Sequence, residues 1–271
     1  MTKPSTLRRA FGLMSVRLVL QQIGLALLVF LLYALWLHVP DASAFDVIGS
    51  VLLALIGIAV AGAGESALML RLAGRVRTPA RLARGAVLLL AGAVLWFAWS
   101  ALLGHFRGNY GSNDQLWAGY LNSRFPHPWR NFFSFEHILL WLEWIWTLLG
   151  WIGSGFIAVL VFAGTASPRP LRAMVYTLCS ITYWVAALIG AVAATEITGL
   201  LVNWTPGHGL RAEMASLALR LAASIFIDAA VVCLLLAILA VCVRQTEEAD
   251  APHSTPAGTP DASQPRTADN P

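Results

Sequence analysis

Charge is what this chain has least of. Only 12% of its 271 residues are charged, where a soluble globular domain carries about 25%. Lysine is almost missing, with Lys3 alone among 18 basic residues. Cysteine is scarce as well. Cys179, Cys233 and Cys242 all fall inside apolar runs, and none has the spacing of a zinc ligand or a redox pair. They read as small buried hydrophobes. There is no phosphate loop, no dinucleotide fingerprint, no Gly-x-Ser-x-Gly elbow and no His-Glu-x-x-His pair. The shortage of charge excludes a soluble domain. The shortage of motifs leaves no particular reaction, metal or cofactor to infer, which leans against an enzyme without excluding one.

What the chain does have is hydrophobic length. Apolar residues make up 58% of it, and a hydrocarbon core of about 30 Å needs roughly 20 of them per helix. Six stretches qualify, at about 18–37, 46–65, 85–105, 136–163, 172–201 and 214–243. They predict an all-α, polytopic membrane protein with six transmembrane helices. It has a basic lead-in at 1–17, a membrane domain over 18–244, a long loop at 106–135 and a disordered tail at 245–271.

Arginine placement predicts the topology. Lys3, Arg8, Arg9 and Arg17, the hairpin set Arg71, Arg75, Arg77, Arg81 and Arg84, then Arg169, Arg172 and Arg244 all flank one side. Only Arg107, Arg124, Arg130 and Arg211 flank the other. The positive-inside rule therefore places both termini in the cytoplasm. Ala42-Ser43-Ala44 has the small-x-small form of a signal cleavage site, but the apolar run before it is too long for a signal peptide. Abundant alanine and the use of arginine in place of lysine suit a GC-rich bacterial source, hence an inner membrane. The net charge of +4 comes from residues flanking the spans. That suits anionic lipid on the cytoplasmic side and not nucleic acid.

Within this frame a few patterns stand out. In the second span Ser50, Ala54, Gly57, Ala61 and Gly64 line one helical face, a seam that lets a neighbouring backbone approach closely in lipid. In the lead-in, Phe11, Leu13, Met14 and Val16 form an apolar face for the membrane surface. In the long loop Ser112-x-x-Gln115 has the form of a capping box, and Leu116, Trp117, Tyr120 and Leu121 then share a face. Trp117, Tyr120, Trp129 and Phe132 are the expected outer contacts for a partner or lipid. His38, His105, His127, His137 and His208 also fall on the outer side, with no metal-ligand spacing among them.

The last span carries the costly residue. Asp228 lies 16 residues before Arg244, about 24 Å along a helix and so within hydrocarbon depth. An aspartate at a helix centre costs about 2.5–3.5 kcal/mol on the insertion scale. The 15 Leu, Ile, Val and Phe residues between 217 and 243 return roughly 5–9 kcal/mol, so the helix inserts anyway. Glu213, Ser216, Arg220, Ser224 and Asp228 step by three or four along one face. With Glu143 and Glu196 at a similar level, they predict a polar vestibule closed at Asp228.

Three functions fit these features. The first is an accessory or scaffold component, contacting lipid, a membrane protein partner or further copies of itself. The second is a small transporter or permease-like subunit using the Asp228 vestibule. The third is an outer-leaflet enzyme built from histidines and carboxylates. The first requires the fewest features and is the expectation.

Overall fold

A computed structural model of the chain describes residues 5–40, 42–129, 132–203 and 209–250. Ten α-helices run in order: α1 (Thr6–Leu13), α2 (Val16–Leu37), α3 (Ala44–Leu72), α4 (Pro79–Tyr110), α5 (Asp114–Arg124), α6 (Phe135–Ala166), α7 (Pro170–Leu178), α8 (Ile181–Val192), α9 (Thr198–Asn203) and α10 (Leu210–Asp250). No strand occurs among the described residues. Six helical stretches are long and apolar enough to cross a membrane: α2, α3, α4, α6, Ile181–Leu201 and the body of α10.

Hydroxyl caps start most of these helices. Ser5, Ser15, Ser43, Thr78 and Ser134 each accept a hydrogen bond from the backbone N–H three residues on, satisfying one orphan donor of α1, α2, α3, α4 and α6. Pro79 opens α4 at the first helical position, where its missing N–H removes no helical bond. The preceding turn is built on Gly74, whose φ is +71°. There Arg75 N–H bonds Leu70 O at 2.8 Å and Gly74 N–H bonds Arg71 O at 3.0 Å, a Schellman closure of α3.

The long loop is largely helical. α4 runs on to Tyr110, and a 3-10 turn over Gly111–Asn113 leads directly into α5. Asn113 caps α5 with no side-chain bond, and the Asp114 N–H is taken by Gly111 O of the preceding turn. The side chain of Ser112, on which the expected capping box rests, lies outside the described residues. α10 likewise continues to Asp250, six residues into the expected tail. The rest of that tail, 251–271, lies outside the described residues.

The fifth span differs most from expectation. In place of one helix over 172–201 there is a break at Cys179–Ser180, then α8, a π-helical stretch over Ala193–Ile197, and α9. At the break Trp184 Nε1 donates to Leu178 O at 2.8 Å, the carbonyl that Thr182 N–H would use in a continuous helix. Tyr183 Oη donates to Gly155 O at 2.9 Å. The two rings thus tie the broken backbone to α6, and Cys179, expected to be buried, is exposed there.

The core sits at the arginine-rich end. Leu68–Ala73, most of Val159–Ala166 and most of Cys233–Val243 are buried, while Phe30 and Phe97 stay over 60% exposed in their own spans. α10 lies at the centre: 44% of its apolar window is buried, against 17% or less in the other five spans. Its last turns reach three other segments. Arg244 donates to Leu72 O, closing the end of α3. Glu247 pairs with Arg75, whose Nε also donates to Ala166 O at 3.1 Å. Glu248 meets Arg9 at 3.2 Å, and Gln245 Nε2 donates to Thr6 Oγ1 at 3.4 Å. Through these contacts α1 packs on α10 with Ala10 fully buried, while Phe11 and Val16 remain exposed.

Small residues set the helix spacing. All five residues of the expected seam are half-buried. They face α2, where a Cβ on Gly64 would come within 2.5 Å of Leu25 but one on Gly57 would lie 4.0 Å from Leu32. So α2 and α3 touch at Gly64 and diverge toward the aromatic end. The tighter junction was not foreseen. A Cβ on Gly62 would come within 2.9 Å of Ala86, and one on Gly85 within 2.5 Å of Ser66 Oγ and 2.8 Å of Thr165. Gly62 and Ser66, one helical turn apart on α3, carried that signal in the sequence.

Two predictions follow from this packing. Gly85→Val overfills the α3–α4–α6 junction and destabilises the folded protein by about 1–3 kcal/mol or more, whereas Gly57→Ala leaves it unchanged; unfolding titrations in detergent measure both. Arg244→Ala leaves the end of α3 without its cap, at a cost of about 1–3 kcal/mol. Amide exchange over 68–75 accelerates as a result, and unchanged protection there would show that Arg244 closes nothing.

Candidate functional site

The polar stripe of α10 divides when the chain folds. Arg220, half-buried, donates from Nε to Ser216 O at 3.2 Å and from Nη1 to Leu201 O at 3.5 Å. It thus covers a carbonyl near the C-terminal end of α9, where a cation is favoured. Ser224 is only 6% exposed, and the Oγ atoms of Ser216 and Ser224 are buried without a hydrogen-bond partner among the described residues. These three residues form the inward edge. Glu213 lies in the first turn of α10 and is exposed, where a carboxylate suits the helix N-terminus.

Asp228 faces outward. It is exposed and has no hydrogen bond or ion pair among the described residues. α10 is 41 residues long, about 61 Å, and Asp228 lies near its middle. Leu221 and Val232, on the same side of the helix, are exposed as well. A lone carboxylate thus sits on an apolar outer face of a helix otherwise suited to hydrocarbon.

The other two carboxylates of the expected vestibule lie elsewhere. Glu196 is exposed within the π-helical stretch. Glu143 pairs with Arg107 at 3.4 Å across the α4–α6 seam, both side chains over half exposed. The reason is topological: α6 presents this part of its surface to α4, while α10 packs on the fifth span. Cavities of about 560, 300 and 170 Å³ occur in the fold, and none of these is lined by a residue of the expected vestibule.

The expected outer contacts do form a platform. Trp117, Tyr120, Trp129 and Phe132 are each more than half exposed. Beneath them the rings of Phe125 and Phe133 stack in parallel at 4.0 Å, Trp141 meets Phe133 edge-on at 5.3 Å, and Asn122 Nδ2 donates to Phe133 O at 3.1 Å. Arg124 lies 5.1 Å from the Tyr120 ring centre, a cation–π distance. Ala118, fully buried, seats α5 on α6. The exposed rings are therefore held by a packed base.

Two features went unseen in the sequence. One is an apolar groove of about 560 Å³ between α6 and α8, lined by Trp151, Gly155, Trp184 and Leu188 among others. It exists because Gly155 lets the Trp184 ring approach. The other is a polar contact between α2 and α3, where Gln22 Nε2 donates to Glu65 Oε1 at 2.6 Å. The Gln22 amide oxygen stays buried there with no partner among the described residues. Among the described residues no three His, Cys, Asp or Glu side chains come together; His208 lies outside them.

Because the Arg107–Glu143 pair is exposed, Glu143→Gln changes stability by less than about 1 kcal/mol in detergent unfolding. A larger loss would place Glu143 in a buried polar site. Comparison of the chain with protein-family models, with curated proteins and with solved structures finds no match.

Proposed function

We propose that this chain is a multi-pass protein of a bacterial inner membrane, with both termini cytoplasmic, and that it works as an accessory component docking another transmembrane protein along the outer half of α10. The observation that carries this reading is Asp228, exposed and unpaired among the described residues. At its depth, exposure to lipid costs up to about 2.5–3.5 kcal/mol. A partner helix presenting a hydrogen-bond donor or a basic side chain removes that cost and gains an anchor. The exposed aromatics Trp117, Tyr120, Trp129 and Phe132 support the same reading, since rigid exposed aromatics suit contact with protein or lipid.

The experiment is site-specific photocrosslinking in native membranes, with a photoreactive residue replacing Leu221 or Val232 beside Asp228 and, as control, Leu28 of α2. One defined protein adduct is expected from both α10 positions and none from Leu28, and Asp228→Leu abolishes the α10 adducts while the protein stays folded. Lipid adducts alone at 221 and 232 would defeat the docking reading.

A second reading has one observation behind it. Transporter sites are often built on interrupted helices, and the fifth span is broken at Ser180 and π-helical at Glu196. On that reading Asp228→Asn abolishes flux of a solute with no protein adduct at either α10 position.

A further inference from the structure

The α2–α3 pair carries an unassigned site at the arginine-rich end. A hollow of about 170 Å³ opens between the two helices, bordered by Gln21, Gln22, Gly64, Arg71 and Arg77. Leu25, Gly64 and Ala67 form its apolar side. Its charge is arranged in layers. Arg77 is exposed on the rim and has no partner among the described residues. Arg71 donates to Gln21 Oε1, which spends one donor of its five and fixes the guanidinium at the edge of the hollow. Deeper in, the Gln22 amide binds Glu65 with one end, and its other end, Oε1, is buried with no partner among the described residues. Glu65 lies six residues before Arg71, about 9 Å deeper along α3.

The same helix pair holds an apolar groove of about 300 Å³ toward the aromatic end, lined by Leu32, Ala54, Gly57 and Ala61 among others. Ala61 of the groove and Gly64 of the hollow are one helical turn apart on α3. The same helix pair therefore offers two guanidinium groups at headgroup level and an apolar groove toward the hydrocarbon. A soluble phosphate would use only the first of these. A phospholipid uses both.

We infer that this seam is a binding site for one anionic phospholipid. The phosphodiester sits against Arg71 and Arg77, and one acyl chain lies in the α2–α3 groove.

The test is native mass spectrometry of the full chain in detergent, titrated with phosphatidylglycerol, with phosphatidylcholine, and with inorganic phosphate as competitor. The first phosphatidylglycerol is expected to bind more tightly than phosphatidylcholine and to withstand millimolar phosphate. Arg77→Gln, a change at an exposed side chain with nothing to unpack, weakens it about fivefold, and adding Arg71→Gln weakens it about fivefold again. Arg84→Gln, an exposed arginine of the same hairpin outside the hollow, leaves it unchanged. No preference for phosphatidylglycerol, an equal loss in the Arg84 variant, or displacement by inorganic phosphate would each overturn the assignment.

Discussion

The fold hangs on the last turns of one helix. Between Arg244 and Glu248, α10 leaves its apolar surroundings and reaches the Leu72 carbonyl of α3, Arg9 of α1 and Arg75 of the α3–α4 turn, and Arg75 in turn holds the end of α6. In hydrocarbon, apolar area gives helices no reason to associate, because lipid tails are as apolar as leucine. Polar contacts at the boundary and close backbone packing must then hold the bundle. This chain places both at the same end: the Gly62–Ala86 and Gly85–Ser66 approaches lie close to the arginine-rich ends of their helices, as the α10 contacts do. The buried core follows from that placement, since the helices are drawn together where they are tied.

The opposite half is what such a construction leaves over. α2 and α3 diverge past Gly64, the fifth span breaks and drifts, and α10 emerges with Asp228 uncovered. Two of the three cavities are apolar clefts between helices that have separated, α6 from α8 and α2 from α3. In a membrane such clefts do not stay empty. Acyl chains can fill those without charge, but no acyl chain can satisfy Asp228. In the proposed function its carboxylate marks the surface that meets a protein partner.

The sequence disclosed whatever depends on composition and missed whatever depends on neighbours. The six apolar runs correspond to six long apolar stretches because length and hydropathy are local properties. The small-residue stripe on α3 was legible for the same reason, although its opposite face makes the tighter contacts, and only the position of α4 could reveal that. The break at Ser180 was hidden because Trp184 and Tyr183 produce it by reaching carbonyls of Leu178 and Gly155, a side-chain event with no periodic signature. The extension of α10 past 244 was hidden for a related reason. Gln245, Thr246, Glu247 and Glu248 look like the start of a polar tail until Thr6, Arg9 and Arg75 are seen to meet them.

The polar stripe shows the same limit at the candidate site. Helical spacing correctly put Ser216, Arg220, Ser224 and Asp228 on neighbouring turns, but a stripe three residues wide faces two environments when its helix packs at an angle. Arg220 turned inward because the carbonyl of Leu201 was within reach. Asp228 had no such group on the fifth span, which at that level presents Gly190 to Val231. A vestibule required Glu143 and Glu196 to turn toward α10, and Arg107 had already drawn Glu143 to the other side of α6. What remains is a single acid at the edge of an apolar face, a poor basis for a water-filled path and a sufficient one for gripping another helix.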